Sequence, residues 1–417
     1  MTSVGQKTRR RSRHGNLAVI TGLIAIPLAM IIAMTVEMVS LTNERARMQA
    51  AVDAAALAGA RELAIAGANA RNANSFAETF ALNQVSDLST RVTMNFTASQ
   101  NGNGEFQVSG VGVRGSFFGD LVPPGGFTIR VSAVGEAMNQ QPLCVLVGPL
   151  SHTLKEVSLT ARGNSNIQAA NCLVHSNSTL LTSENAVIKA GTIQTTGTAD
   201  GTGFSPAANT GAIKVRDPFA TRVMKRDCAS RWINPNPLKI SGNTVTSLAS
   251  GTLNRELIVS GNANLTLGRG DHYFCGGVTV EGNATLKGDN IVMILEGSKS
   301  FKASESTTLS LSGRQTGEWA GFLLITDRAN RSDVLISSKS ADKLLGTIYL
   351  PSSKLIINSA GQVAQDSKWS VVVAQDLLMD KNASLVINTD YEGSGVPVPS
   401  GVGNKLANAK SGLRLRR

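Results

Sequence analysis

The sequence is poor in the side chains that most catalytic sites use. It contains 4 histidines, 4 cysteines and 4 % aromatic residues in a chain of 417. The phosphate-binding pattern G-x-x-x-x-G-K-[ST], the serine-nucleophile pattern G-x-S-x-G and the zinc pattern H-E-x-x-H are all absent. These absences exclude a P-loop ATPase, an α/β-hydrolase and a zinc peptidase of that class. We predict a non-catalytic protein without a cofactor or a metal site.

One short stretch, GRGDHYFCGG at Gly268–Gly277, concentrates reactive side chains. It brings Asp271, His272, Tyr273 and Cys275 close together along the chain. Nucleophilic catalysis needs a base beside the nucleophile and a third group that orients the base. No such partner is evident in the sequence, so we predict an ordinary strand and turn here.

The net charge of +11 comes from the two ends of the chain. Of the 40 basic residues, five lie before residue 16 and five follow Glu392, which leaves 30 basic against 29 acidic residues in the body. Nucleic-acid-binding proteins place their positive charge on a folded face. We therefore expect no nucleic-acid partner.

A long apolar run follows the basic leader. Leu17 to Val36 is 20 residues without a charge, which as a helix is about 30 Å long and matches a bilayer core. A secretory signal has a shorter apolar region and ends at a small-residue cleavage site. We therefore predict a cytoplasmic leader over 1–16, a retained transmembrane helix over 17–36 and a periplasmic remainder. The leader's charges set this orientation, and they are Arg9, Arg10, Arg11 and Arg13.

The apolar run continues without a break into a second helical stretch. Apolar and small residues recur at helical spacing there and form one face. We predict that this face packs on partner subunits or across the chain's own sheet, although alanine's high helix propensity alone would explain the composition. The face consists of Leu41, Met48, Val52, Ala55, Gly59 and Leu63.

The segments GNLAVITGLIAIPL and ERARMQAAVDAAALAGARELA, with Glu37 between them, resemble the N-terminal part of TadE/TadG-like proteins of the Tad (Flp) pilus-assembly family. The resemblance covers residues 13–65 and implies a membrane protein that works with other Tad or pseudopilin-like subunits. Prepilins carry a glutamate five residues after the processing glycine. Five residues after Gly15 this chain has Ile20, so we expect an uncleaved TadG-like accessory protein.

The rest of the chain reads as β-structure. Residues 91–138 alternate apolar and polar side chains between turns, which with the preceding helix predicts a pilin-like helix-plus-antiparallel-sheet domain over 37–140. From 144 to 390 an asparagine turn followed by a short strand recurs. The repeats are RGNSNIQA, SENAVIKA, SGNANLTL, EGNATLKG and DKNASLVI.

Two of the gaps between these asparagines are 21 residues, a length that suits one coil of a solenoid. We predict a right-handed parallel β-helix, with an irregular β-sandwich as the alternative. The fold class is thus α+β and mainly β. Residues 191–250 have no assigned role, and we expect a flexible basic tail over 391–417.

The cysteines lie outside the predicted anchor, as expected in an oxidising compartment. Four cysteines allow three pairings. We favour structural disulfides between sequence neighbours, Cys144 with Cys172 and Cys228 with Cys275, because the first pair brackets about one coil.

Taken together, the sequence predicts an inner-membrane protein that supports the biogenesis or anchoring of Tad/Flp pili and adhesion. Its expected partners are other Tad membrane proteins, with envelope polymers or outer-membrane pilus parts as further candidates. Two alternatives remain open. One is a membrane-tethered adhesin or envelope scaffold unrelated to pili, and the other is a β-helical carbohydrate-active enzyme.

Overall fold

The computed structural model describes residues 14–63, 70–100, 105–116, 126–137, 142–149, 157–224, 227–228, 232–402 and 413–416. It divides into two compact units. The first unit comprises Met1–Gly59, Asn74–Glu136 and Arg414–Arg417, and the second comprises Ala60–Ala73 and Ala137–Leu413.

The first unit combines long helices with an antiparallel sheet, as predicted. Its sheet has the order β1, β2, β3, β28, and β2 pairs antiparallel with both β1 and β3. Alanine-rich sequence continues the apolar run as one helix, because alanine has the highest helix propensity. The elements that lie in it, wholly or for most of their length, are α1 (His14–Leu63), α2 (Ala70–Gln84), a 3₁₀ helix (Ser86–Thr90), β1 (Thr93–Gln100), β2 (Glu105–Arg114), β3 (Phe127–Ala137) and β28 (Leu413–Arg416).

The second unit is a parallel β-solenoid, which confirms the predicted β-helix in preference to the sandwich. Through most of it each strand pairs in parallel with the strand three further along the chain, so one coil contributes three strands. The coil at one end of the stack consists of β11 (Leu238–Ile240), β12 (Val245–Leu248) and β13 (Gly251–Leu253).

Four further groups of strands continue the stack from that coil. They are β14 (Leu257–Val259), β15 (Asn264–Leu267) and β16 (Gly270–Phe274); β17 (Val278–Val280), β18 (Thr285–Gly288) and β19 (Ile291–Leu295); β20 (Phe301–Ala303), β21 (Thr308–Ser312) and β22 (Phe322–Thr326); and β23 (Val334–Ile336), β24 (Ser340–Ile357), β25 (Gln362–Val363), β26 (Ser370–Met379) and β27 (Ser384–Val386).

The coils do not stack in chain order. β26 and β27, near the C-terminal end, pair in parallel with the strands that begin the solenoid in the sequence. The chain therefore enters the solenoid in the middle of its length. The strands that complete the stack are β4 (Leu143–Val147), β5 (Val157–Ala161), β6 (Asn166–Ser176), β7 (Thr179–Thr182), β8 (Val187–Thr195), β9 (Ala199–Asp200) and β10 (Phe204–Ser205).

This stacking order requires a long return connection, which we call the strap (residues 210–237). The strap leaves the last coil near Thr195, whose carbonyl accepts a hydrogen bond from the amide of Ala212. It ends beside the first coil, where the amide of Asn234 donates to the carbonyl of Asn254. The strap thus accounts for the middle of the segment 191–250, for which no role was predicted, and solenoid strands account for its two ends.

Asparagine ladders line one corner of the solenoid. The side-chain amide of Asn283 donates to Asn262, and that of Asn262 donates to Asn243, at 3.2 and 3.0 Å. A second ladder joins Asn185, Asn164 and Asn382, and these three residues have φ between 57° and 63°. Asparagine tolerates this left-handed conformation in the second ladder, whereas in the first ladder the preceding glycines Gly242, Gly261 and Gly282 adopt it.

The expected flexible tail over 391–417 is wrong for its first part. Val396 and Val402 are buried in an aromatic side cluster on the solenoid, and the indole of Trp369 donates to the carbonyl of Val396 at 3.2 Å. Spaced valines provide the apolar contacts here, although the glycines and prolines between them resemble a linker. Residues 413–416 form β28 instead of a tail.

Candidate functional site

The apolar part of α1 has almost no cover within the protein. Of the described residues, this helix alone is long and apolar enough to cross a membrane, and 6 % of its most apolar window is buried. Burying one such side chain contributes roughly 1.5–3 kcal/mol, so this exposure is unfavourable in water and fits an anchor in a bilayer. The exposed side chains are Leu23, Ile24, Leu28, Met30, Ile31, Ile32, Met34, Val36, Met38 and Val39.

A buried ion-pair cluster begins where the exposed run ends. Arg114, at the end of β2, donates through Nη2 to Glu37 and through Nη1 to Glu44 Oε2 at 2.8 Å. Nη1 also donates to Ser40 Oγ at 3.0 Å. The three charged residues are at most 3 % exposed. We call Glu37, Ser40, Glu44 and Arg114 the charge cluster.

The spacing along α1 explains the charge cluster. Glu37, Ser40 and Glu44 lie three and four residues apart, so they share one helix face. Burial disfavours the charge of Arg114, but its hydrogen bonds to Glu44 and Glu37 outweigh that effect and raise its pKa. Losing one partner of a buried ion pair typically costs about 3–5 kcal/mol, because the other charge stays buried. The cluster therefore fixes α1 on its sheet.

The same helix face continues with the predicted small-residue stripe. Met48, Val52, Ala55 and Gly59 are buried, and a Cβ built on Gly59 would lie 2.0 Å from the ring of Phe106 on β2. Of the two packing options left open, the chain's own sheet is therefore the one observed. Met48 also lies against β2, because a Cβ built on Gly112 would be 2.9 Å from its sulfur, and the packing of this face on partner subunits stays a prediction.

The remaining members of the predicted face add little to it. Leu41 is half-buried, and the side chain of Leu63 lies outside the described residues. Arg9, Arg10, Arg11 and Arg13, which the sequence predicts to be cytoplasmic anchor charges, also lie outside the described residues.

In the solenoid, polar side chains hold the strap at its N-terminal end. The side-chain amide of Asn177 bonds both backbone groups of Val215, as a neighbouring strand would. Its Nδ2 donates to the Val215 carbonyl at 2.7 Å, and its Oδ1 accepts from the Val215 amide at 2.8 Å. The ring of His175 lies 3.1 Å from the same Oδ1 and is fully buried. Burial lowers the pKa of His175 to about 4.

Further along, Asp217 on the strap connects to two coils. Its Oδ2 accepts hydrogen bonds from Tyr349 at 2.7 Å and from Arg328 at 2.8 Å. Phe219 packs edge-on against Phe322 and Tyr349, with centroid separations of 4.8 and 5.1 Å. Burial and the charge of Asp217 raise the pKa of Tyr349, which therefore remains a neutral donor.

Two disulfides complete the second unit. Cys144 is bonded to Cys172, and Cys228 to Cys275, with Cα separations of 5.8 and 5.4 Å. Both are the pairs that the sequence favoured. The second disulfide ties the strap to the residue that follows β16, next to Glu296, whose carboxylate accepts a hydrogen bond from the amide of Cys228 at 2.9 Å.

The reactive-looking stretch Gly268–Gly277 has structural partners. Asp271 accepts a hydrogen bond from Arg314 at 2.8 Å, the ring of His272 lies 2.7 Å from the carbonyl of Gly268, and Cys275 is in the disulfide. In the part of the chain that the structure describes, no three His, Cys, Asp or Glu side chains converge as metal ligands.

A polar groove of about 560 Å³ lies where the asparagine ladders are interrupted. Glu281, Glu305, Lys302 and Lys381 are among the side chains that line it. Two carboxylates in one groove are what a glycosidase would need, with one of them protonated as the acid. Lys339 forms an ion pair with Glu305 and lowers its pKa, which is the opposite of what a general acid requires.

Fold and site together define a protein with one exposed apolar helix, a helix-on-sheet unit and a parallel β-solenoid. Residues 15–62, which include the apolar run, Glu37, Glu44 and most of the small-residue face, match the family model described as Putative Flp pilus-assembly TadE/G-like. This match confirms the predicted resemblance over that segment. Comparison with curated proteins and with solved structures gives no significant match.

Sequence reasoning missed Arg114 as a partner of Glu37 and Glu44. The signal was present in part: both glutamates continue the face of Met48, Val52 and Ala55 at the same helical spacing. Two acids on an otherwise apolar face require a buried cation, but helix periodicity gives no information on which strand supplies it.

Proposed function

We propose that this chain is a non-catalytic, membrane-anchored TadG-like component of Tad/Flp pilus assembly. The observation that carries the proposal is the coincidence of the TadE/G-like match at 15–62 with the uncovered apolar side chains of α1. The anchor crosses the inner membrane once. The basic leader lies in the cytoplasm and the remainder in the periplasm.

Two features support the periplasmic location. All four cysteines are paired, and disulfides persist in oxidising compartments such as the periplasm. The cationic leader precedes the apolar run, and cationic flanks remain on the cytoplasmic side.

The first unit is the part proposed to work with other Tad membrane proteins. Its helix leaves the bilayer at Glu37, where the charge cluster fixes the orientation of α1 on the sheet. The solenoid would contact envelope polymers or outer-membrane parts of the pilus, and so support adhesion.

Electron microscopy of surface filaments tests the proposal. Cells that lack the gene should lose Flp-type pili, and a plasmid that encodes residues 1–417 should restore them. Protease added to spheroplasts should digest the solenoid and leave the leader protected. Normal pili in the deletion strain would contradict the pilus role. They would favour the adhesin, or the enzyme if purified full-length chain cleaves envelope polysaccharide.

A further inference from the structure

The two ends of the solenoid differ in how well they are closed. The blunt end is formed by β9 and β10, which are two residues long each and are followed by Pro206. Short strands, an exposed acid such as Asp200 and a proline are common ways to protect a sheet edge.

The open end is the coil formed by β11, β12 and β13. In the described chain these strands pair only with the following coil, so the backbone groups on their other side have no strand partner. Lys239 is the only charged residue between positions 238 and 254, and the stretch contains no proline. This edge lacks the protection that the blunt end has.

Large apolar side chains are exposed at the open end. Val245 in the middle strand is 78 % exposed and Trp232 is 71 % exposed. Asn254 donates its side-chain amide to the carbonyl of Trp232 at 3.4 Å, which places the tryptophan at the rim of this coil. Terminal coils of soluble solenoids normally present a polar outer face.

We propose that the open ends of two copies of this chain pair with each other, with β12 of one copy beside β12 of the other. Three observations favour a second copy as the occupant. Strand pairing between coils, which is parallel within the chain and would be antiparallel across a two-fold axis, already joins the coils of the solenoid, and β12 carries no charge, so two copies meet without repulsion. The blunt end offers only two-residue strands to a head-to-tail stack.

Such a contact is isologous and closes after two copies. The chain enters the solenoid in the middle of its length, so neither end is used by that connection. The resulting dimer would contain two solenoids joined end to end. This inference does not depend on the proposed role in pilus assembly.

Cross-linking in native membranes tests the pairing on the full chain. Val245→Cys treated with a short bis-maleimide should give a covalent dimer. Val223→Cys is the matched control, because Val223 is 76 % exposed but follows Arg222, which contacts the carbonyl of Glu318 three coils away. A two-fold contact at the open end leaves the control largely monomeric.

Val245→Lys supplies an independent readout by light scattering of the purified full chain in detergent. The dimer association constant should fall by about tenfold or more, the effect of one lost apolar contact, while Val223→Lys should leave it unchanged. Equal cross-linking of both cysteine variants, no dimer with Val245→Cys, or a Val245→Cys adduct with another protein would overturn the proposal. A dimer held by the anchor helices alone would be insensitive to Val245→Lys and would also contradict it.

Discussion

The two units hold their long covering segments in different ways. In the first unit, α1 is fixed by one buried cation between two acids and by side chains small enough for close approach. In the second, the strap is held at separate points by Asn177, Asp217 and the Cys228–Cys275 disulfide. The first arrangement concentrates its stability in a few residues, whereas the second distributes it. Single substitutions should therefore affect the two units very unequally.

The largest effect is expected for Arg114→Ala. It leaves Glu37 and Glu44 buried without their cation, which should destabilise the first unit by about 3–5 kcal/mol. Pulse proteolysis in urea with mass spectrometry of the fragments would follow both units in one full-length sample. Arg130→Ala, at an exposed position on β3, is the control and should change little. Equal loss of stability in both units would contradict the claim that Arg114 stabilises the first unit alone.

The second effect concerns the strap. Replacing both Cys228 and Cys275 with serine removes a covalent link across 47 positions, which should cost the solenoid about 2–4 kcal/mol. The strap should become sensitive to protease while the coils remain resistant, because Asn177 and Asp217 still hold its other end. The same assay serves as the measurement. Unfolding of the whole solenoid would mean that the strap is not held at separate points.

The third prediction is the contribution of His175 to the pH dependence of the second unit's stability. The folded-state pKa of His175 is about 4, against about 6.5 when unfolded, so the unfolded state binds the additional proton between these values. Stability should thus be complete above pH 6.5 and fall by roughly 3 kcal/mol as the pH drops to 4. Urea titrations of wild type and His175→Gln across this window would measure the effect. The variant should show a shallower decrease, and identical slopes would refute the assignment.

The smallest effect is expected for Gly59→Val. The added side chain would collide with Phe106, and such overpacking costs about 1–3 kcal/mol. Ala50→Val, on the exposed side of α1, is the matched control. Adding Phe106→Leu should recover part of the loss if the clash is the cause. If Phe106→Leu recovers none of the lost stability, the destabilisation by Gly59→Val does not come from the clash with Phe106.

Sequence patterns predicted the local elements better than their connections. The helix, the antiparallel meander and the asparagine-cornered coils each follow from a periodicity that neighbouring residues carry. The stacking of β26 and β27 on β4, β5 and β6 joins segments more than 200 positions apart, and repeats do not specify their order in a stack. The strap follows from that order, so it could not be predicted either.

The candidate site was predictable to a similar degree. The apolar run and the small-residue face could be predicted because hydropathy and helix spacing are properties of one segment. The choice between a partner subunit and the chain's own sheet depends on which surface lies nearest, as Gly59 and Phe106 illustrate. Arg114 belongs to a different element from its two acids, so only the three-dimensional structure brings the three together.

The most direct measurement is the number of Flp-type filaments per cell, counted by electron microscopy in a deletion strain that carries Arg114→Ala or Arg130→Ala. Immunoblots of membrane fractions would confirm that both variants are present in equal amounts. We expect Arg130→Ala to restore the filaments and Arg114→Ala to leave the count at the level of the deletion. Full restoration by Arg114→Ala, with the first unit shown to be unfolded, would contradict the proposed role of the helix-on-sheet unit in pilus assembly.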